Sequence, residues 1–325
     1  MKFGLQHPSF SYDNDRKDVS QIAVSLKNLI RNAESSDFDS FWVMDHFHQI
    51  SAVGKPQEPM LEGWTTISFL AAVTSKIKLG TLVTGIIYRY PSLLAKIGAT
   101  LDVLSNGRLF MGIGAAWNYE ESAAYGIPFP STKDRFLMLE EAVQVIRKMW
   151  SKEEGGGNTA TSSNGKFYKL HDAYCNPKPV QEPMPPIMIG GSGETKTLKI
   201  VAKYADACNI FGSPETVRRK LSSLSEHCKT VNRDYNTILK TKLTRIIIAN
   251  EEELVKKRVN ESFIGISEET RREFAIYGTP EQIIDQIELF KEAGIDYLIV
   301  NFEPQREFES LELFANNVMK ICSNL

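Results

Sequence analysis

Cysteine is scarce in this chain. Cys175, Cys208, Cys228 and Cys322 are scattered through 325 residues without CxxC spacing, which argues against a disulfide framework and fits reduced thiols in a cytoplasmic protein. No uninterrupted apolar run is long enough to cross a bilayer, and the first residues, MKFGLQHPSF, lack the apolar core of a leader. Neither sign of charge prevails: 38 Lys and Arg face 40 Asp and Glu, so no global field draws in nucleic acid or an anionic membrane. Histidine is rare too, with five in the whole chain. What remains has the composition of an ordinary globular enzyme, 42% hydrophobic and 24% charged.

The dominant signal is alternation. The short strand-like run KFGLQ precedes apolar residues at helical spacing in VSQIAVSLKNLIRNAESS. SFWVMDH is a second strand, followed by a helix from about Trp64 to Ser75. IKLGTLVTG is a third, before a helix opened by Pro91 and closed by Asn106-Gly107. RLFMGIGA is the fourth, with DRFLMLEEAVQVIRKMW as its amphipathic partner. PIMIGG, ACNIFG, LKTKLTRIIIAN and YLIVNF continue the beat, each with a helical stretch after it.

Short continuous apolar runs are what strands buried on both faces look like. Eight βα units in this length predict an α/β chain forming a (β/α)8 TIM barrel, one domain over residues 1 to 325. Insertions after strand 4 (116 to 133) and before strand 5 (152 to 185) interrupt the beat without ending it. The second opens with a Gly-, Ser-, Thr- and Asn-rich stretch, KEEGGGNTATSSNGK, expected to be mobile.

Barrel strands present their C-terminal ends to the catalytic face. Asp45 and His46 end strand 2 and so point at that mouth. Three readings stand for them: a strand end that turns polar, an acid and base, or part of a metal site with His48. A metal needs further ligands from other strand ends, and nothing outlines them, so no metal is expected. GIGAAW begins like a dinucleotide fingerprint but has Trp117 where the third glycine belongs. GGSGETKT misses a phosphate P-loop at Thr195. Gly190, Gly191, Ser192 and Gly193 nevertheless join a strand to a helix N-terminus, where free amides suit an anion as well as a tight turn.

SFWVMDHF, the long block from LEGWTT through GAAWNYEE, YGIPFP and PPIMIGG together resemble the luciferase-like monooxygenase superfamily, in its branch of oxidoreductases that use the deazaflavin coenzyme F420. The likeness is dense from Trp42 to Arg135 and from Pro186 to Phe211 and weaker through residues 240 to 325. It implies a barrel with a tricyclic cofactor in its mouth. It further implies that Asp45 and His46 contact the deazaflavin end, and that a non-prolyl cis peptide at Leu82-Val83, beside Thr84, backs the ring. By the same resemblance Gly114, Ala115, Ala116, Trp117 and Asn118 touch the ring or its chain, and Gly190 to Gly193 hold the phosphate. Two departures stand out: Ala116 replaces a common glycine, and the loop from Gly155 is longer and looser than expected.

The expectation is therefore a cytoplasmic F420-dependent oxidoreductase that moves a hydride between the deazaflavin and a small organic substrate. His46 is its proton donor or acceptor, Asp45 orients it or bonds the ring, and Trp64 and Trp117 are candidates to line the pocket. Relatives are commonly dimers, so a homodimer is expected. The alternatives are an FMN-dependent monooxygenase using reduced flavin and O₂ on the same barrel, a barrel that stores a deazaflavin without catalysis, and a metal-dependent hydrolase.

Overall fold

Apolar runs bounded by turn residues become parallel strands, and the amphipathic stretches between them become the helices that cover those strands. A computed structural model describes residues 1–11, 19–152 and 160–323. Its strands are β1 (Lys2–His7), β2 (Ser40–Val43), β3 (Lys78–Thr81), β4 (Thr84–Gly85), β5 (Met111–Gly114), β6 (Thr161–Asn164), β7 (Lys169–Ala173), β8 (Ile187–Gly190), β9 (Ala207–Asn209), β10 (Leu239–Ile248), β11 (Ala275–Gly278) and β12 (Tyr297–Asn301). The helices used below are α1 (Ser20–Ser35), α2 (Gly63–Ala72), α3 (Pro91–Leu104), α4 (Tyr119–Ala124), α5 (Thr132–Trp150), α6 (Thr197–Tyr204), α7 (Pro214–Thr230), α8 (Glu252–Ser262), α9 (Glu268–Phe274), α10 (Pro280–Glu292) and α11 (Glu307–Phe314).

The main sheet runs β3-β2-β1-β12-β10-β9-β8-β5-β4, all parallel. Its two ends meet because β3 and β4 are halves of one strand. Leu79 exchanges backbone hydrogen bonds with Arg108 and Phe110, and β4 then pairs with β5. The expected barrel of eight strands is thereby closed, in the order read from the sequence. Helix boundaries follow local chemistry. Ser131 caps α5 by accepting the Asp134 amide, Pro214 occupies the first turn of α7 behind Ser213, and Thr279 with Gln282 forms a capping box on α10. Asn106 and Gly107 end α3 with φ of 57° and 80°, the left-handed stop their sequence announces.

Two cores result. Between sheet and helices, Leu26, Ile30, Phe41, Leu94, Ile146, Trp150, Ile283 and Phe314 belong to one large buried cluster. Inside the barrel, Trp42, Phe110, Met188, Tyr297 and Ile299 form a smaller plug. That plug occupies the barrel interior, and the C-terminal strand ends above it are where a barrel places its site.

The sequence under-read three segments. The insertion before β8 contains an antiparallel hairpin, β6–β7, whose alternation is hidden by its polar residues; Glu153 to Thr159 of the expected mobile stretch lie outside the described residues. The acidic region after β10 holds two helices and β11, which pairs with the outer end of β10; AIYG is too short an apolar run to register. The last helical stretch is broken by a π-helical turn at Ala315–Met319.

The wall above the plug depends on glycine. The Leu82-Val83 peptide is cis, and the Val83 side chain sits over neighbouring strands. A Cβ on Gly114 would lie 2.9 Å from a Val83 methyl, and one on Gly190 would lie 2.7 and 2.8 Å from both. Gly190→Ala is expected to cost about 1–3 kcal/mol by overpacking in denaturant unfolding. A double-mutant cycle with Val83→Ala should show strong coupling; simple additivity would mean that Val83 is not the obstacle.

Candidate active site

Above the plug lies a cavity of about 290 Å³, lined by His46, Leu82, Val83, Gly85, Tyr88, Gly114 to Trp117, Phe136, Gly190, Gly191, Thr197, Asn209, Phe211 and Leu243. That is close to the lower limit of roughly 300 Å³ for ligand pockets. Gly85, Gly114 and Gly190 make one wall flat, and Leu82 and Val83 form an apolar backing. Such a slot suits a planar ring.

At one end stands His46. Its Nδ1 lies 2.8 Å from Glu121 Oε2, and its ring meets Trp117 edge-to-face at 5.7 Å. Glu121 is fully buried. Its Oε1 accepts the Phe47 and His48 amides at 2.5 and 3.3 Å, and its Oε2 also accepts the Tyr88 hydroxyl at 2.6 Å. Burial alone would raise this carboxyl. The hydrogen bonds from His46 and Tyr88, the His46 charge and the Phe47 amide outweigh it and hold Glu121 at about 2. An ionised Glu121 is an acceptor only, so Nδ1 carries a proton toward it. Nε2 is then the nitrogen left for the cavity. Burial, reinforced by Glu121, pushes the Tyr88 phenol far above its ordinary range.

The opposite end is the corner after β8. Gly191 has φ of 98°, a conformation suited to glycine. The Ser192 and Gly193 amides donate to no acceptor among the described residues, and no side chain caps α6. Lys220 reaches in from α7, its Nζ donating to Ser192 Oγ at 2.9 Å and to the Phe211 carbonyl at 2.8 Å. Free amides beside an ammonium group suit a phosphate. The residues therefore fit a ligand with a flat ring at the His46 end and an anion near Gly191.

A model of the luciferase-like monooxygenase family matches residues 1–267, most of the chain. The chain belongs to the luciferase-like monooxygenase family. It is 37% identical over 173 residues to an F420-dependent glucose-6-phosphate dehydrogenase of Kineococcus radiotolerans; the match covers 53% of this chain and about half (48%) of that relative. Among solved structures, an F420-dependent secondary alcohol dehydrogenase in complex with an F420-acetone adduct superimposes with a TM-score of 0.81 at 21% identity, covering 98% of both chains. A riboflavin lyase with modified FMN and riboflavin gives 0.82 at 16% identity over 99% of this chain and 91% of its own. At such identities the two structures establish the TIM-barrel fold shared by this family.

Of the residues singled out in the sequence, His46, Leu82, Val83, Gly114, Ala115, Ala116, Trp117, Gly190 and Gly191 line this cavity. Ala116 has φ of 61°, so the residue that departs from the common glycine occupies a glycine-type backbone. Five others sit elsewhere. Asp45 is buried behind the wall, where Arg89 grips it with two hydrogen bonds of 2.6 and 3.0 Å and also binds Glu62, the N-cap of α2. Burial pushes the Asp45 carboxyl up while Arg89 opposes that; the two-pronged geometry favours the ionised pair. Asp45 is thus engaged by Arg89 and does not line this cavity. Thr84 is buried between Trp64 Nε1 and Thr81 Oγ1, which also makes Trp64 a packing residue. Asn118 caps α4 by accepting the Glu121 amide, and Ser192 and Gly193 flank the cavity without lining it.

Sequence reasoning missed Glu121, Tyr88 and Lys220. Glu121 and Tyr88 lie in or beside loops with no spacing motif. Lys220 sits on an ordinary amphipathic helix.

The lowered Glu121 carboxyl has a pH consequence. Its contribution is complete above the unfolded value of 4.5 and is lost as pH falls toward about 2. The magnitude is on the order of 3 kcal/mol. Wild type should therefore lose more thermal stability than Glu121→Gln between pH 6 and pH 3; parallel curves would refute the assignment.

Proposed function

We propose that the chain is an F420-dependent oxidoreductase that moves a hydride between the deazaflavin and an organic substrate. The observation that carries this reading is the slot itself: a flat, glycine-walled space with a Glu121-held imidazole at one end and free amides with Lys220 at the other. The similarity to an F420-dependent glucose-6-phosphate dehydrogenase supports the choice of cofactor.

When bound, a deazaflavin supplies a two-electron carrier at C5. The protein's own part is then positional and protonic. Leu82 and Val83 back the ring, the Gly190–Gly193 corner and Lys220 hold the phosphate, and Trp117 flanks His46. His46 Nε2 takes the proton released as a substrate is oxidised, or returns it in the reverse direction. Glu121 keeps the ring oriented and balances its charge when protonated. An apolar cavity would otherwise penalise an imidazolium.

An FMN enzyme is the second reading, favoured by the likeness to a riboflavin lyase with modified FMN on the same fold. Titrating the purified protein with each cofactor separates the two. F420 is expected to bind at least about tenfold more tightly than FMN, a difference of about 1.4 kcal/mol; the reverse order would replace the proposal. His46→Ala is expected to slow turnover by about 10²-fold or more while F420 affinity stays within a few-fold. An unchanged rate would remove His46 from its role.

A further inference from the structure

The slot occupies one side of the barrel mouth. Its lining comes from the end of β2, from β3–β5, β8 and β9, and from Leu243 of β10. In the sheet order, β12 and β1 lie between β10 and β2, and neither contributes to it. That remaining arc is where a second reactant would meet the ring.

Two unsatisfied groups stand on that arc. Leu239 and Leu243 of β10 pack on the interior plug, so strand alternation turns Arg245 inward as well, about 7 Å beyond Leu243 toward the mouth. Arg245 is partly buried, yet it forms no hydrogen bond or ion pair among the described residues. Other enclosed guanidinium groups have partners: Arg89 has Asp45 and Glu62, Arg108 has five oxygens of Ala71, Thr74, Ile77 and Ser105, and Arg258 has the Ile248 carbonyl and Glu309. The nearby carboxylate, Glu303, already accepts from Ser262 and Arg306. Burial lowers the proton affinity of Arg245 and Glu303 raises it, without contact.

The strand partner of Arg245 is Asn301 of β12. Asn301 is 8% exposed, and its Nδ2 donates to Gln6 of β1 at 2.7 Å. Its Oδ1 is buried and has no hydrogen-bond partner among the described residues. A free five-donor cation and a lone amide acceptor thus sit side by side on one wall. Buried polar groups in folded proteins are nearly always matched, and these two do not match each other. The cavity lining holds no Lys, Arg, Asp or Glu, so Arg245 is the cation placed to read a substrate's charge.

We propose that Arg245 and Asn301 form the substrate-recognition subsite, and that the substrate is an organic oxyanion, a carboxylate or phosphate, bearing a neighbouring hydroxyl or N–H. Arg245 takes the oxyanion and Asn301 Oδ1 accepts from the neutral donor. This rests on the deazaflavin reading for the position of the second reactant, but the binding chemistry belongs to the two side chains alone.

Isothermal titration calorimetry on the full chain, with and without F420, tests it using D-glycerate, inorganic phosphate and glycerol. At least one anion is expected to bind better than glycerol, and the stronger of the two identifies carboxylate or phosphate. Arg245→Gln should weaken that anion by about 10- to 100-fold, Arg245→Lys by less, and Asn301→Asp should weaken it by placing a negative charge beside the guanidinium. F420 affinity should stay within about twofold in each variant, a level set by the absence of Arg245 and Asn301 from the slot's lining. Anion binding unaltered in Arg245→Gln, or no anion favoured over glycerol by the wild-type chain, overturns the proposal. Failure of F420 to bind any form would instead refute the cofactor reading, and the cofactor-free titrations would still decide the subsite.

Discussion

One buried carboxylate organises this barrel mouth. Glu121 sits on a short helix in an insertion, yet it gathers the His46 ring, the Phe47 and His48 amides and the Tyr88 hydroxyl. Those donors come from the segments after β2 and after β4. Remove the carboxylate and two amides of a turning strand end lose their acceptor, as do an imidazole and a phenol. Each such loss in a buried setting costs about 1–3 kcal/mol. The insertion after the fourth barrel strand is therefore part of the wall of the site, and Asn118 ties it in by capping the helix that carries Glu121.

The second constraint is steric. Val83 occupies the space that side chains on Gly114 and Gly190 would need. Glycines on β5 and β8 thus let one valine project across them and keep the wall flat. The same corner that supplies Gly190 leads into the turn that presents the Ser192 and Gly193 amides. Flat wall and anion cradle are consecutive products of one stretch of five residues, which explains why GGSGE reads as a near miss for a phosphate loop. Its glycines answer to a valine as well as to a ligand.

Much of this was legible in the residues. Continuous apolar runs with helices between them dictate a closed parallel barrel, and the strand-end rule places His46 and the Gly190 corner at one face. The cis Leu82-Val83 bond was readable only through the family resemblance. Two features lay beyond local pattern. Asp45 and His46 are adjacent in a strand end, so their side chains leave on opposite faces; sequence proximity suggested joint action, whereas Asp45 went to Arg89 behind the wall and His46 to the cavity. Their real partners, Arg89 and Glu121, are 44 and 75 residues away, and no periodicity links residues so far apart. Polar strands such as β6 and β7 give no alternating apolar signal, so the hairpin was read as loop.

The separation of the two carboxylates also bears on the chemistry. Each has its own cation: Asp45 a permanent one in Arg89, Glu121 a protonatable one in His46. Were Glu121 itself paired with a permanent cation, His46 would stand beside a neutralised acid, with no counter-charge for an imidazolium in an apolar slot. As built, a proton arriving at Nε2 is balanced across one 2.8 Å hydrogen bond, without solvent rearrangement. Tyr88, the other titratable group in the lining, is no competitor, because its hydroxyl is committed to Glu121 and burial and that carboxylate keep it protonated. On the proposed reading, proton movement in this cavity therefore falls to His46 by elimination as well as by geometry.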